Sequence, residues 1–182
     1  MSGVGPSKQP HSSQLVASEP QAARRASSLR AEPLYSKAAW VLLLILGLLP
    51  VLASILDLIG IRANGVPSDH RAAFAAVARM DWTAATAAST GVTRYVSLLE
   101  TGYALHELVF GLLFLIIVAI PFRQGERWAW FACWVVLVAD VGYTFTFGRY
   151  DSAILRNSVI ADLALPILLL LQVPRFFRRS WS

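Results

Sequence analysis

Residues 102–121 read GYALHELVFGLLFLIIVAIP, and the way this stretch is read decides the fold. From Leu108 to Ile120 there is no charged side chain, and Pro121 closes the run. A block of about 20 apolar residues is what a helix needs to cross a hydrocarbon layer about 30 Å thick. In that layer the backbone must satisfy its own polar groups, which a helix does. Three other blocks have similar character: 38–61 (AAWVLLLILGLLPVLASILDLIGI), 128–147 (WAWFACWVVLVADVGYTFTF) and 157–173. Pro50 in the first frees the carbonyl of Leu46, and Pro166 in the last frees that of Asp162. The expectation is an all-α integral membrane four-helix bundle.

Composition points the same way. Of the 182 residues, 56% are hydrophobic and 15% charged, against about 25% charged in ordinary soluble domains. The net charge of +5 does not suggest a nucleic-acid binder, because the Lys and Arg residues lie in the tails and loops between the apolar blocks. That distribution fixes membrane topology. Cys133 is the single cysteine. It allows neither an internal disulfide nor a CxxC site, and it reads as a small buried hydrophobe.

The flanking segments are different. Residues 1–37 are rich in Ser, Ala, Gln, Pro and Arg and read as a disordered basic tail. Within them ARRASSLR (23–30) lies too far before an overlong apolar block for a cleaved signal, so the first span is expected to be retained. A second basic tail is expected at 174–182. Residues 62–101 form a partly helical loop. PSDHRAAFAAVARM begins a short helix capped by Ser68 or Asp69, with Phe74, Val77 and Met80 on one side. DWTAATAAS suggests a second, capped by Asp81 and ending before Gly91.

Ten of the 16 Lys and Arg residues fall in the two tails and in 122–127, and six in 62–101 and 148–156. Basic residues near span ends in short loops stay inside, so both termini are expected to be cytoplasmic, and 62–101 becomes an outer loop. Arg123, Arg127, Trp128 and Trp130 are expected to anchor the inner face at headgroup depth.

Within the spans lie Asp57, His106, Glu107, Asp140 and Asp162, with no Lys or Arg beside them. At 1.5 Å per residue, the four acids stand roughly 16–25 Å from the inner surface, at or beyond the midplane. Each shares a helical face with small or polar residues: Asp57 with Ala53 and Ser54, Glu107 with Ala104 and Gly111, Asp140 with Tyr143 and Thr144, and Asp162 with Ser158. Charges that face lipid are costly, so these faces should turn inward as an outer-half polar cluster. Charge balance is then open to protons, to His106 as cationic partner, to Arg62, Arg94, Arg149 or Arg156 from the loops, or to a bound cation. HEL is half of a zinc-binding H-E-x-x-H, but position 110 is Phe. Neither a metal nor another cofactor is implied.

MDWTAATAASTGVTRYV (80–96), the polar-started span after it, and PFRQGERWAWFACW (121–134) together resemble an uncharacterised family of small four-helix bacterial integral membrane proteins. The resemblance implies a four-helix integral membrane protein of bacterial origin, and the inner membrane is the expected location. It carries no activity and no assigned residues.

Three functional readings are open. The first is a non-enzymatic membrane component or accessory protein whose acids pair off and leave no cavity. The second is a small transporter or proton-relay unit. The third is a membrane enzyme acting on a lipid or quinone. The last two require a pocket on which acids converge from at least three helices. The expected partners are the lipid bilayer and either another membrane protein or a second copy, with no nucleic acid.

Overall fold

The computed structural model describes residues 33–177. The chain divides into two units, Met1–Pro33 and Leu34–Ser182. The described residues of the second unit form six helices and no strand. They are α1 (Leu34–Asn64), α2 (His70–Ala78), α3 (Trp82–Ala88), α4 (Thr90–Ile117, prolonged by a π turn over Val118–Phe122), α5 (Arg127–Phe147) and α6 (Ser152–Phe177). Four are long and apolar enough to cross a membrane: Leu34–Asn64, Thr90–Phe122, Arg127–Phe147 and Ile154–Phe177. α2 and α3 lie between the first two at one end of the bundle, here the loop end. The 123–126 connection, the N-terminus of α1 and the C-terminus of α6 mark the opposite, turn end.

The side-chain distribution is the reverse of a soluble bundle. Val138 is 73% exposed and Phe145 77%, and Leu49, Ile116 and Leu163 also face outward. Apolar surface this extensive is what a lipid environment covers. The interior uses small residues where backbones meet. α1 packs most extensively on α4, and α5 on α6, while α1 and α6 join the two pairs. A Cβ on Gly47 would stand 2.5 Å from Cδ1 of Phe114, and one on Gly111 2.9 Å from Cγ2 of Val51. Only glycine permits this approach between α1 and α4.

The turn end is solid. Leu43, Phe114, Val118, Phe122, Cys133 and Leu169 are among its buried core residues. Pro121 interrupts the ladder of α4, and the carbonyl of Val118 accepts the Trp40 indole N–H at 2.9 Å. Ser36 Oγ donates to Gln172 Oε1 at 2.9 Å, and Gln172 Nε2 returns a bond to the Ser36 carbonyl at 2.7 Å. This reciprocal pair ties α1 to α6 where no water competes.

Several boundaries differ from the sequence expectation. α1 starts at Leu34 rather than 38, because Ser36 has a buried partner on α6. The tail expected at 1–37 otherwise lies outside the described residues, as do 178–182. α6 continues to Phe177, past the expected limit of 173, and begins at Ser152 rather than 157. The largest correction is α4, which begins at Thr90, not 102. Ser89 is extended and its Oγ accepts the Val92 N–H at 3.3 Å, so the helix nucleates there and the polar segment 90–101 becomes its first three turns. The loop between spans is correspondingly shorter than 62–101.

The two short loop helices occur at the expected places. Asp81 caps α3, accepting from Ala84 N–H at 2.7 Å. Asp69 precedes α2 but makes no side-chain cap bond. The expected Phe74–Val77–Met80 face is not the buried one: Phe74 packs on Trp82, whereas Val77 and Met80 are exposed and His70 and Ala73 face inward. The polar imidazole takes the inward side because it finds a carboxylate there.

At the turn end Arg123 stacks over Trp40 at 4.7 Å, and Arg127 Nε donates to the Phe176 carbonyl at 3.2 Å. Trp128 is exposed. Trp130 is half-buried and donates to the Leu169 carbonyl at 3.0 Å, bracing α5 against α6.

Candidate functional site

The loop end is hollow where the turn end is solid. α1 ends at Asn64, and Gly65 reverses the chain with φ +78°, a conformation that L side chains rarely adopt. Val66 and Pro67 are then fully buried. Trp82 donates its indole N–H to the Asn64 carbonyl at 2.8 Å and packs edge-on against Phe74 at 5.1 Å. This small apolar cluster fixes α2 and α3 across the end of α1, and so places His70 over the centre of the bundle.

His70 is 3% exposed. Its Nδ1–H donates to Glu100 Oε2 of α4 at 2.8 Å, and the Tyr143 hydroxyl of α5 lies 3.5 Å from Nε2. The ring stacks on Phe147 at 5.0 Å and tilts against Tyr103 at 5.7 Å. One loop residue therefore links α2, α4 and α5. Burial works against the charged imidazole. The hydrogen bond and charge of Glu100, backed by Asp69 and Asp57, outweigh it, so His70 keeps its proton above the ordinary histidine range.

Beneath His70 lies a cavity of about 740 Å3. Asp57 reaches it from α1, Glu107 from α4, Asp140 from α5, and Asp69 from the start of α2. Its walls also carry Tyr103, Phe110, Tyr143 and Phe147. Among the described residues no Lys or Arg lines it. Thus Arg62, Arg94, Arg149 and Arg156, considered from sequence as counter-charges, stay outside, with Arg149 over the Tyr150 ring at 4.7 Å. His106 lines the cavity, its Nδ1–H donates to the Gly102 carbonyl at 2.6 Å, and among the described residues no ion pair joins it to an acid. Glu107 lies near Ser54 of α1.

Asp162 stands apart from the other acids. Its Oδ2 accepts from Thr144 Oγ1 at 2.8 Å, its Oδ1 is buried without a partner, and it does not line the cavity. Thr144 is one turn from Asp140, so the two acids share a neighbourhood through α5 but not a chamber. The structure therefore brings Asp57, His106, Glu107 and Asp140 to one space and leaves Asp162 outside it. Sequence reasoning did not place His70 or Glu100. The only local signal was a histidine at the start of an amphipathic loop helix, and its partner lies 30 residues away on another helix.

Among the described residues, no group of three His, Cys, Asp or Glu side chains is arranged to hold a metal ion. The acids line a broad chamber rather than converging on a point. The fold and site together define an all-α protein with four helices long and apolar enough to cross a membrane and a carboxylate-rich cavity at one end. Comparison with family models, with curated proteins and with solved structures finds no match.

Proposed function

We propose that this chain is a small integral membrane transporter or proton-relay protein whose working site is the loop-end cavity. One observation carries the reading: Asp57, Glu107 and Asp140 reach a single chamber of about 740 Å3 from three different helices. An accessory protein whose acids served only to join helices would pair them and close the space. Carboxylates lining a partly desolvated chamber without Lys or Arg must be balanced by protons or by a cation. Such a set can exchange one for the other. His70 sits at the loop-end boundary with Glu100 and Tyr143 and offers a titratable group between chamber and surface.

The basic turn-end flanks support an orientation with both termini cytoplasmic, which makes the chamber open on the outer side. A bacterial inner membrane rests on the resemblance of residues 80–134 to small bacterial membrane proteins. Orientation is tested on a Cys133→Ser background. Maleimide added outside is expected to label Ser89→Cys and not Gln124→Cys, and the reverse pattern would invert the topology.

The activity is tested in proteoliposomes with an internal pH dye and an imposed pH gradient. Wild-type protein is expected to speed proton entry over empty liposomes. Glu107→Gln and Asp140→Asn should each lower that rate ten-fold or more. Equal rates for empty, wild-type and variant liposomes would exclude proton movement through this chamber.

A further inference from the structure

The loop-end chamber holds more than a proton relay requires. A volume of about 740 Å3 lies in the range of pockets that enclose small organic ligands. Its floor continues into an apolar cleft of about 90 Å3, which shares Leu49, Pro50, Phe110, Asp140 and Ala161 with the chamber. Phe114 and Leu165 lie deeper in that cleft, towards the solid end. Asp140 thus stands at the junction between a polar chamber and an apolar slot. Above it the aromatic rings of Tyr103, Tyr143 and Phe147 line the wall, and ring faces attract cations. The lining carries four carboxyl groups, on Asp57, Asp69, Glu107 and Asp140, beside the two imidazoles of His70 and His106, with no Lys or Arg among the described residues there. A bare metal ion finds no chelating group of three among the described residues.

We propose that the chamber binds a lipophilic amine: the ammonium group lies among Asp57, Glu107 and Asp140, and a short alkyl end enters the cleft below Asp140. This rests on the chamber being the working site and names the class of its ligand. An ammonium group on an apolar body belongs both to free amines and to aminolipid headgroups. A headgroup brings a phosphate to the same carboxylates with no Lys or Arg to balance it, so the free amine fits the lining better.

The test is calorimetric titration of the full chain in phosphatidylcholine nanodiscs at pH 7.5, with empty nanodiscs as blank. The probes are hexylamine, neutral 1-hexanol and anionic hexanoate. Hexylamine is expected to bind at least ten-fold more tightly than hexanol, and hexanoate not at all. Glu107→Gln and Asp140→Asn should each weaken hexylamine ten-fold or more, while Glu126→Gln at the turn end should not. Melting of each variant without ligand identifies any that fail to fold, and the three-probe series on the wild type stands without them. Equal binding of amine and alcohol, or binding of none of the probes, overturns the amine assignment. If that happens while Glu107-dependent proton flux persists, the relay reading stands and the ligand class alone falls. Amine binding with no flux upholds the ligand class and removes the relay. In nanodiscs that also contain phosphatidylethanolamine, unchanged affinity supports a free amine. A ten-fold loss assigns the site to the lipid headgroup and overturns the free amine.

Discussion

At the scale of single residues, His70 decides how the loop end behaves with pH. Its proton is held more tightly in the folded chain than in the unfolded one, despite burial, because Glu100 accepts its Nδ1–H. The stabilisation from that difference is complete below about pH 6.5, where the unfolded imidazole is also charged, and is lost as pH rises through the higher folded value. The thermal midpoint of the wild type is therefore expected to fall between pH 6 and 9, and by more than that of His70→Asn. Parallel slopes would show that Glu100 does not hold the proton. Asp162 offers a second check. Thr144→Val deletes the bond to its Oδ2, while its Oδ1 is already buried without a partner. A loss of about 0.6–1.7 kcal/mol is expected in reversible unfolding, the range of interhelical hydrogen bonds within membranes. The acids within the apolar helices were legible in the sequence because an isolated charge in an apolar block is conspicuous. His70 and Glu100 were not, since neither interrupts such a block and the contact between them arises only after α2 folds back over the bundle.

At the scale of elements, the glycines of α1 and α4 set the helix spacing. Gly111→Ala places a Cβ 2.9 Å from the Val51 side chain and 3.2 Å from the Val51 backbone nitrogen, so relief requires the helices to part. Overpacking of this kind costs typically about 1–3 kcal/mol. Unfolding of purified Gly111→Ala should show that loss, whereas Gly102→Ala, whose added Cβ would meet nothing within 4 Å, should be close to neutral. The four long helices were readable from apolar block length. The start of α4 was not, because Thr90–Thr101 is too polar to register as part of a span. The cap at Ser89 and the continuity of the helix set that boundary instead. The loop helix failed differently: a spacing-three pattern of Phe74, Val77 and Met80 marked a face, but the packing of Trp82 and the pairing of His70 chose another.

At the scale of the whole molecule, the two ends have opposite character. The turn end is closed by Leu43, Phe122, Cys133 and Leu169 and by the Ser36–Gln172 pair, so the chamber is a cup rather than a through-pore. Under the proposed relay, passage to the other side requires that packed end to loosen, and the Ser36–Gln172 pair is one of the polar ties that hold it. Ser36→Ala with Gln172→Leu removes both partners together. Proton flux in the double variant is expected to rise several-fold over the wild type if that end limits passage, and an unchanged rate would place the limiting step elsewhere.

The outward-facing belt has a consequence for how this sequence can drift. In a bilayer, the exposed Val138, Phe145 and Leu163 would meet surroundings that ask only for greasiness, with no particular shape to match. Gly47, Gly111 and Ser54 lie where helices meet and allow hardly any change of volume. A library of random apolar replacements should therefore be tolerated on the outside and rejected at the small interior positions, the inverse of the pattern in a water-soluble bundle. In this chain the memory of the fold is held by its smallest residues, while its largest are the most interchangeable.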